Sequence, residues 1–159
     1  MTKVCSVFDD IWLAVDDVEH DFFKQLQVEF DFELCNQGKG ELGNKLQTLS
    51  TASFSLDDKP VMFLGSDSPH VNICRYQSAK NALTQHSVVI GPVEDGGYDL
   101  IGMTSHYPGV FDDIHWGTDS VFCETMNNIS NLELNVNVLD ISFDLDRAED
   151  IKRAPPQTW

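Results

Sequence analysis

Two neighbouring carboxylates, Glu94 and Asp95, stand directly before Gly96, Gly97 and Tyr98. A carboxylate pair on a turn can serve general acid–base chemistry or hold a hard cation, since both tasks need anionic oxygen at an accessible position. The same residues would serve equally as a solvated acidic turn, because Asp-Gly between extended runs is a hairpin signal in its own right. Two further acidic groups follow apolar runs. Asp67 comes after Val61-Met62-Phe63-Leu64, and Asp144 and Asp146 come after the stretch 134–141. Asp67 and Asp146 are each as well placed to cap a helix as to bind a ligand.

The elements around these acids follow from hydrophobic periodicity. Residues 11–15 (Ile-Trp-Leu-Ala-Val) read as a buried strand, and 4–8 as a weaker one. Asp16 and Asp17 suit the start of a helix whose stripe is Val18, Phe22 and Leu26. Residues 30–35 alternate as a half-exposed strand. Residues 41–54 repeat leucine at helical spacing, through Leu42, Leu46 and Leu49. The 61–64 strand is continuous and apolar. Ser68-Pro69 after it reads as the cap and first residue of a helix carrying Ile73, Tyr76 and Leu83. Val88-Val89-Ile90 and residues 98–103 frame the Glu94 turn as two strands. Thr118 reads as the cap of a helix through Phe122 and Ile129. A strand follows over 134–138, then a short helix with Asp146 and Glu149 at capping-box spacing.

Strand–helix alternation predicts an α/β sandwich with a mainly parallel central sheet. Ligands of such sheets sit outside the carboxyl ends of the strands, where all three acidic groups fall. Converging carboxylates would suit Mg²⁺ or Mn²⁺, which take oxygen ligands.

At 159 residues the chain predicts a single domain over 1–153 and a tail over 154–159. It carries 26 acidic against 10 basic residues, a formal charge of −16. That field disfavours nucleic acid and anionic membrane as partners. It also disfavours a phosphorylated ligand unless a cation stands between ligand and acids. The four cysteines are scattered, with no paired spacing, which points to reduced thiols and a cytoplasmic setting. No signal peptide and no apolar run of membrane-spanning length is read. Neither a GxSxG elbow nor a His-paired cysteine motif supports a covalent hydrolase.

The runs GSDSP (65–69), GPVEDGGYDLIGM (91–103), FDDIHWGTDSVFCETM (111–126) and FDLDRAEDI (143–151), with QGKGELG (37–43), occur in an order that is recognisable. Over residues 11–151 the chain resembles the GT-A-type glycosyltransferase-like family of the radical-SAM/selenodomain-associated transferase 1 type, within the nucleotide-diphospho-sugar transferases. The resemblance implies a Rossmann-like GT-A three-layer α/β/α sandwich. It implies Asp67 as the cation-holding acid of a GxDxP motif, with Asp146 and its neighbour Asp144 as further metal contacts. It implies Glu94, Asp95, Gly96, Gly97 and Tyr98 on the acceptor or sugar side, with Trp116 and Thr118 in a W-G-T element. Group transfer from a nucleotide-activated donor is then expected, with Mg²⁺ or Mn²⁺ neutralising the leaving diphosphate and Asp95 activating the acceptor hydroxyl.

Relatives open with a strand and a basic phosphate-holding loop, and nothing before residue 11 matches those parts, so the fold is expected to be N-terminally shortened. An uncovered sheet edge would then favour a homodimer. The missing loop favours the alternative function, a non-catalytic module that binds a small molecule or a protein. The retained Asp67, Glu94–Asp95 and Asp146 favour the transferase.

Overall fold

The computed structural model describes residues 1–145, 148 and 150–154. Its elements are α1 (Thr2–Cys5), β1 (Trp12–Val15), α2 (Asp21–Glu29), β2 (Glu33–Asn36), α3 (Leu42–Leu56), β3 (Val61–Leu64), α4 (Ile73–Ala82), β4 (Val88–Pro92), β5 (Tyr98–Met103), α5 (Val121–Asn131) and β6 (Val136–Val138), with a 3₁₀ turn at Asp150–Lys152. The strands form a four-stranded sheet of order β3-β5-β4-β6 and a separate parallel pair, β1-β2. In the larger sheet β3, β4 and β6 share one direction. β5 runs against β3 and β4 between them. The Asp95-Gly96 turn explains this reversal, because a tight turn can only return the chain antiparallel to β4. Gly96 takes the φ of +90° the turn requires, and a Cβ there would strike the Asp119 backbone.

Side-chain alternation splits the core into two layers. Val88 and Ile90 of β4 and Ile101 and Met103 of β5 face Val110, Phe111 and Ile129, with Leu46 and Phe54 of α3 beside them. Val89 and Leu100 face the other way, onto Tyr76 and Ala79 of α4, onto Leu83 just after it, and onto Val4, Val7 and Phe8. β4 and β5 are the centre of the molecule, and β4 is buried along its whole length. Helices therefore cover both faces of a central sheet, the three-layer arrangement expected.

Several local expectations changed. Residues 2–5 form one helical turn, not a strand, because Val4, Val7 and Phe8 find apolar partners on α4 and no neighbouring strand. α2 starts at Asp21, where the His20 ring accepts from the Phe22 N–H, while Asp17 closes a local turn onto the Glu19 N–H. α4 starts later than Pro69. Asn72 caps it by accepting from the Cys74 N–H, which leaves Ser68 buried and free to donate to Asp144. α5 begins at Val121, and Thr118 instead donates to the His115 carbonyl. The capping pair Asp146 and Glu149 lies outside the described residues.

One tight passage governs the centre of the sheet. A Cβ on Gly91 would stand 2.5 Å from Asp99 Oδ1 and 2.6 Å from Arg75 Nη2. Gly91→Ala is therefore expected to cost about 1–3 kcal/mol, the range for overpacking a closed core. Urea unfolding measures it, and a cost below about 0.5 kcal/mol would show that the passage is not closed.

Candidate functional site

The acids lie beyond the ends of β3, β4 and β6. Asp67 is exposed, and its carboxylate accepts from the Ser66 hydroxyl at 3.0 Å. Its backbone carbonyl accepts from the Leu145 N–H at 3.0 Å. Ser68, one residue on, is 4% exposed and donates to Asp144. The loops that carry Asp67 and Asp144, 77 residues apart in sequence, are thus held side by side. Asp146 lies outside the described residues.

Glu94 and Asp95 are exposed on the β4–β5 turn. Asp95 accepts from the Gly97 N–H at 2.9 Å, so this carboxylate also shapes its own turn. The Glu94 carboxylate is held by Arg153 Nη2 at 2.7 Å, and that hydrogen bond draws its pKa below the usual carboxylate range. Its N–H donates to Ser142. Among the described residues, no three His, Cys, Asp or Glu side chains converge to hold a metal ion. The described donors supply two neighbouring carboxylates, Asp67 and Asp144, and not a complete metal centre.

Tyr98 and Trp116 form a wall beside this turn, with rings edge to face at 6.3 Å between centroids. The Tyr98 hydroxyl is buried beside Thr125, and burial pushes its pKa up to about 12 while Thr125 opposes that rise. Tyr98 is therefore a core residue under the site, while half-buried Trp116 is its outward partner. Thr118 is exposed on the same loop, where Ser120 and His115 bind Glu124. Trp116 also lines a polar cavity of about 330 Å³ with Glu41, Asn44, Asp112 and Asp113. Gly43 opens that cavity wall, since a Cβ there would lie 2.6 Å from the indole Nε1.

Three features under the site were not read from the sequence. Arg75 Nε and Nη2 hold the Asp99 carboxylate at 2.9 Å each, with the side chains 13% and 3% exposed. Burial raises the Asp99 pKa, and the Arg75 guanidinium opposes that rise. Arg75 also donates to the Pro92 and Asp140 carbonyls, at 3.4 and 2.5 Å. Arg153 lies over the Phe143 ring at 4.0 Å from its centroid while it holds Glu94. His70, 7% exposed, stacks on Phe143 at 4.1 Å, with both ring nitrogens buried and unpartnered. An acid at an inward strand position and an arginine beside a core tyrosine were the only sequence signals for the Arg75–Asp99 pair.

With this geometry in place, comparison with known proteins defines the class. The fold matches a crystal structure from Desulfovibrio desulfuricans G20 described as a "putative nucleotide-diphospho-sugar transferase", with a TM-score of 0.81 and 27% identity over 91% of this chain. The chain spans 64% of the length of that structure. The chain itself belongs to the family described as "Uncharacterized protein conserved in bacteria (DUF2064)", whose model matches residues 5–118. That span contains Asp67, Glu94–Tyr98, Trp116 and Thr118 and stops short of Asp144. No curated protein matched the chain. No helix among the described residues is long and apolar enough to cross a membrane.

His70 yields a stability prediction. Burial lowers its pKa, so the folded state holds it neutral where the unfolded state, with a pKa near 6.5, binds a proton. Its contribution is full above pH about 6.5 and is lost as pH falls toward the lower folded value. His70→Phe keeps the stack and removes two unpartnered nitrogens. Tm is expected to rise by about 2–4 °C at pH 7, with a weaker loss of stability as pH falls below about 6.5. Calorimetry checks both, and a fall in Tm would contradict the reading of the ring as unsatisfied.

Proposed function

We propose that this protein is transferase-like, of the radical-SAM/selenodomain-associated GT-A kind, and binds a nucleotide-activated donor at the carboxyl edge of β3 and β4. One observation carries the reading: a nucleotide-diphospho-sugar transferase fold that presents exposed carboxylates at the strand ends where ligands of open α/β sheets sit. Asp67 is assigned to an Mg²⁺ or Mn²⁺ ion with Asp144, and the described residues provide no third donor. A divalent cation would supply the charge that lets a diphosphate approach a −16 chain. Asp95 is assigned to the acceptor hydroxyl, with Glu94 beside it, and Gly96, Gly97, Trp116 and Thr118 to the neighbouring sugar or acceptor. We place the protein in the cytoplasm.

The alternative is a non-catalytic binding module on the same scaffold. The observation in its favour is that Glu94 is already paired with Arg153, and that Asp67 and Asp144 each accept a hydrogen bond from a serine hydroxyl, which leaves the acids engaged without any ligand.

Calorimetric titration with Mn²⁺, alone and with nucleoside diphosphates and nucleotide sugars, separates the two. The transferase reading expects Mn²⁺ binding that one nucleotide tightens, and a loss of at least about tenfold in Asp67→Asn, roughly 1.4 kcal/mol. A folded wild-type protein that binds neither metal nor nucleotide would leave the binding-module reading.

A further inference from the structure

His115, on the loop that leads into α5, is met twice by one carboxylate. Its backbone N–H donates to Glu124 Oε2 at 2.7 Å, and its ring Nδ1 lies 2.9 Å from Glu124 Oε1. The Ser120 hydroxyl donates to the same Oε1 at 3.0 Å. The backbone bond from His115, then the ring bond, draw the Glu124 pKa below the usual carboxylate range. An ionised carboxylate only accepts, so Nδ1 carries the ring hydrogen, and the neutral imidazole keeps its free electron pair on Nε2. Among the described residues nothing bonds to Nε2. The side chain is 79% exposed.

A staple for the loop would need less than this. The backbone N–H alone ties His115 to α5. An exposed ring buries little apolar surface, and an exposed pair of this kind adds little stability. The main chain is also fixed from the other side, since Thr118 Oγ1 donates to the His115 carbonyl at 2.7 Å. The ring is thus held at its base, oriented at Nδ1 and open at Nε2.

The same loop is pressed against the acidic turn. The Phe122 N–H donates to the Gly96 carbonyl at 2.8 Å, and the Asp119 backbone leaves no room for a Cβ on Gly96. Trp116, the residue after His115, packs on Tyr98 at the start of β5. A carboxylate-oriented imidazole therefore stands on the loop that buttresses the turn bearing Asp95. The Asp95 carboxylate is partly spent on the Gly97 N–H. At neutral pH an imidazole takes a proton far more readily than a carboxylate does.

We propose that His115 Nε2 is the base of the transfer reaction, with Glu124 as the positioning residue that fixes its tautomer. The inference rests on the transferase reading. Asp95 orients the acceptor, and His115 takes the proton of its hydroxyl. The O–H bond breaks toward Nε2 and the ring becomes imidazolium, stabilised by Glu124. The freed oxygen bonds to the anomeric carbon of the donor sugar. The electron pair of the breaking carbon–oxygen bond leaves on the nucleoside diphosphate.

Two measurements test this. Proton–nitrogen correlation spectra of the His115 ring need no substrate. They are expected to show the Nδ1–H tautomer in the wild type and a mixture in Glu124→Ala. An Nε2–H tautomer in the wild type, or the same tautomer with and without Glu124, would overturn the proposal. The second measurement is nucleoside diphosphate release with Mn²⁺, from UDP-glucose, GDP-mannose or CDP-glucose, to water or glycerol. His115→Ala keeps the backbone bond to Glu124, so the loop persists. It is expected to lose about 100-fold or more in kcat, with donor KM within about threefold and Mn²⁺–nucleotide binding retained. Free imidazole should restore about tenfold of that loss, which a stapling role does not predict. Unchanged kcat, or a loss that imidazole does not rescue, would overturn the proposal. So would a wild type that binds Mn²⁺ and nucleotide yet releases no diphosphate, which leaves the donor-binding reading standing. A wild type that binds neither would overturn both.

Discussion

The buried pairing of Arg75 with Asp99 is the constraint on which the rest of the site depends. Asp99 points inward from β5, and leaving it there unpaired would strand a charge in a low-dielectric core. Arg75 meets it with two donors and turns two more onto the Pro92 and Asp140 carbonyls. One guanidinium therefore joins α4, the end of β4, β5 and the chain beyond β6. Gly91 is glycine because this pair fills the space a Cβ would take. The Glu94–Asp95 turn grows from the β4 end and β5 start that Arg75 clamps, so its placement is inherited from a contact in the core.

The strand-end acids share a problem of electrostatics. Asp67, Glu94, Asp95 and Asp144 gather on a chain of net charge −16, where each further carboxylate is repelled by the rest. The protein answers with local donors: Ser66 on Asp67, Ser68 on Asp144, the Gly97 N–H on Asp95 and Arg153 on Glu94. A ligand at this edge must replace or share those donors. That favours ligands that bring positive charge, whether a metal–nucleotide pair or a cationic group.

Much of the fold was legible in the sequence because its central strands are continuous apolar runs. Residues 61–64, 88–90 and 98–103 announce themselves by β-branched and aromatic content, and the Asp-Gly turn announces the hairpin. Helix starts were less legible. Asp16-Asp17, Ser68 and Thr118 have the right chemistry for caps, yet His20, Asn72 and Ser120 hold the positions before the first helical residues, because the tertiary path of each loop decides where the first turn forms. Of the site, the exposed acids were readable as types and positions, and the fold holds the loops of Asp67 and Asp144 side by side. The Arg75–Asp99 and Arg153–Glu94 pairs were not readable, since they join residues 24 and 59 positions apart and no local pattern couples them. His70 hid for the same reason: its burial comes from Phe143, contributed by a distant stretch of chain.

A double-mutant cycle on Arg75 and Asp99 tests the central constraint most directly. Arg75→Met and Asp99→Leu are each expected to cost about 3–5 kcal/mol, because each leaves its partner charged and buried. The double variant should cost clearly less than their sum, with a coupling of about 1 kcal/mol or more. Strict additivity, or single variants that lose less than about 0.5 kcal/mol, would show that the pair does not organise the core and that the turn bearing Glu94 and Asp95 is held by other means.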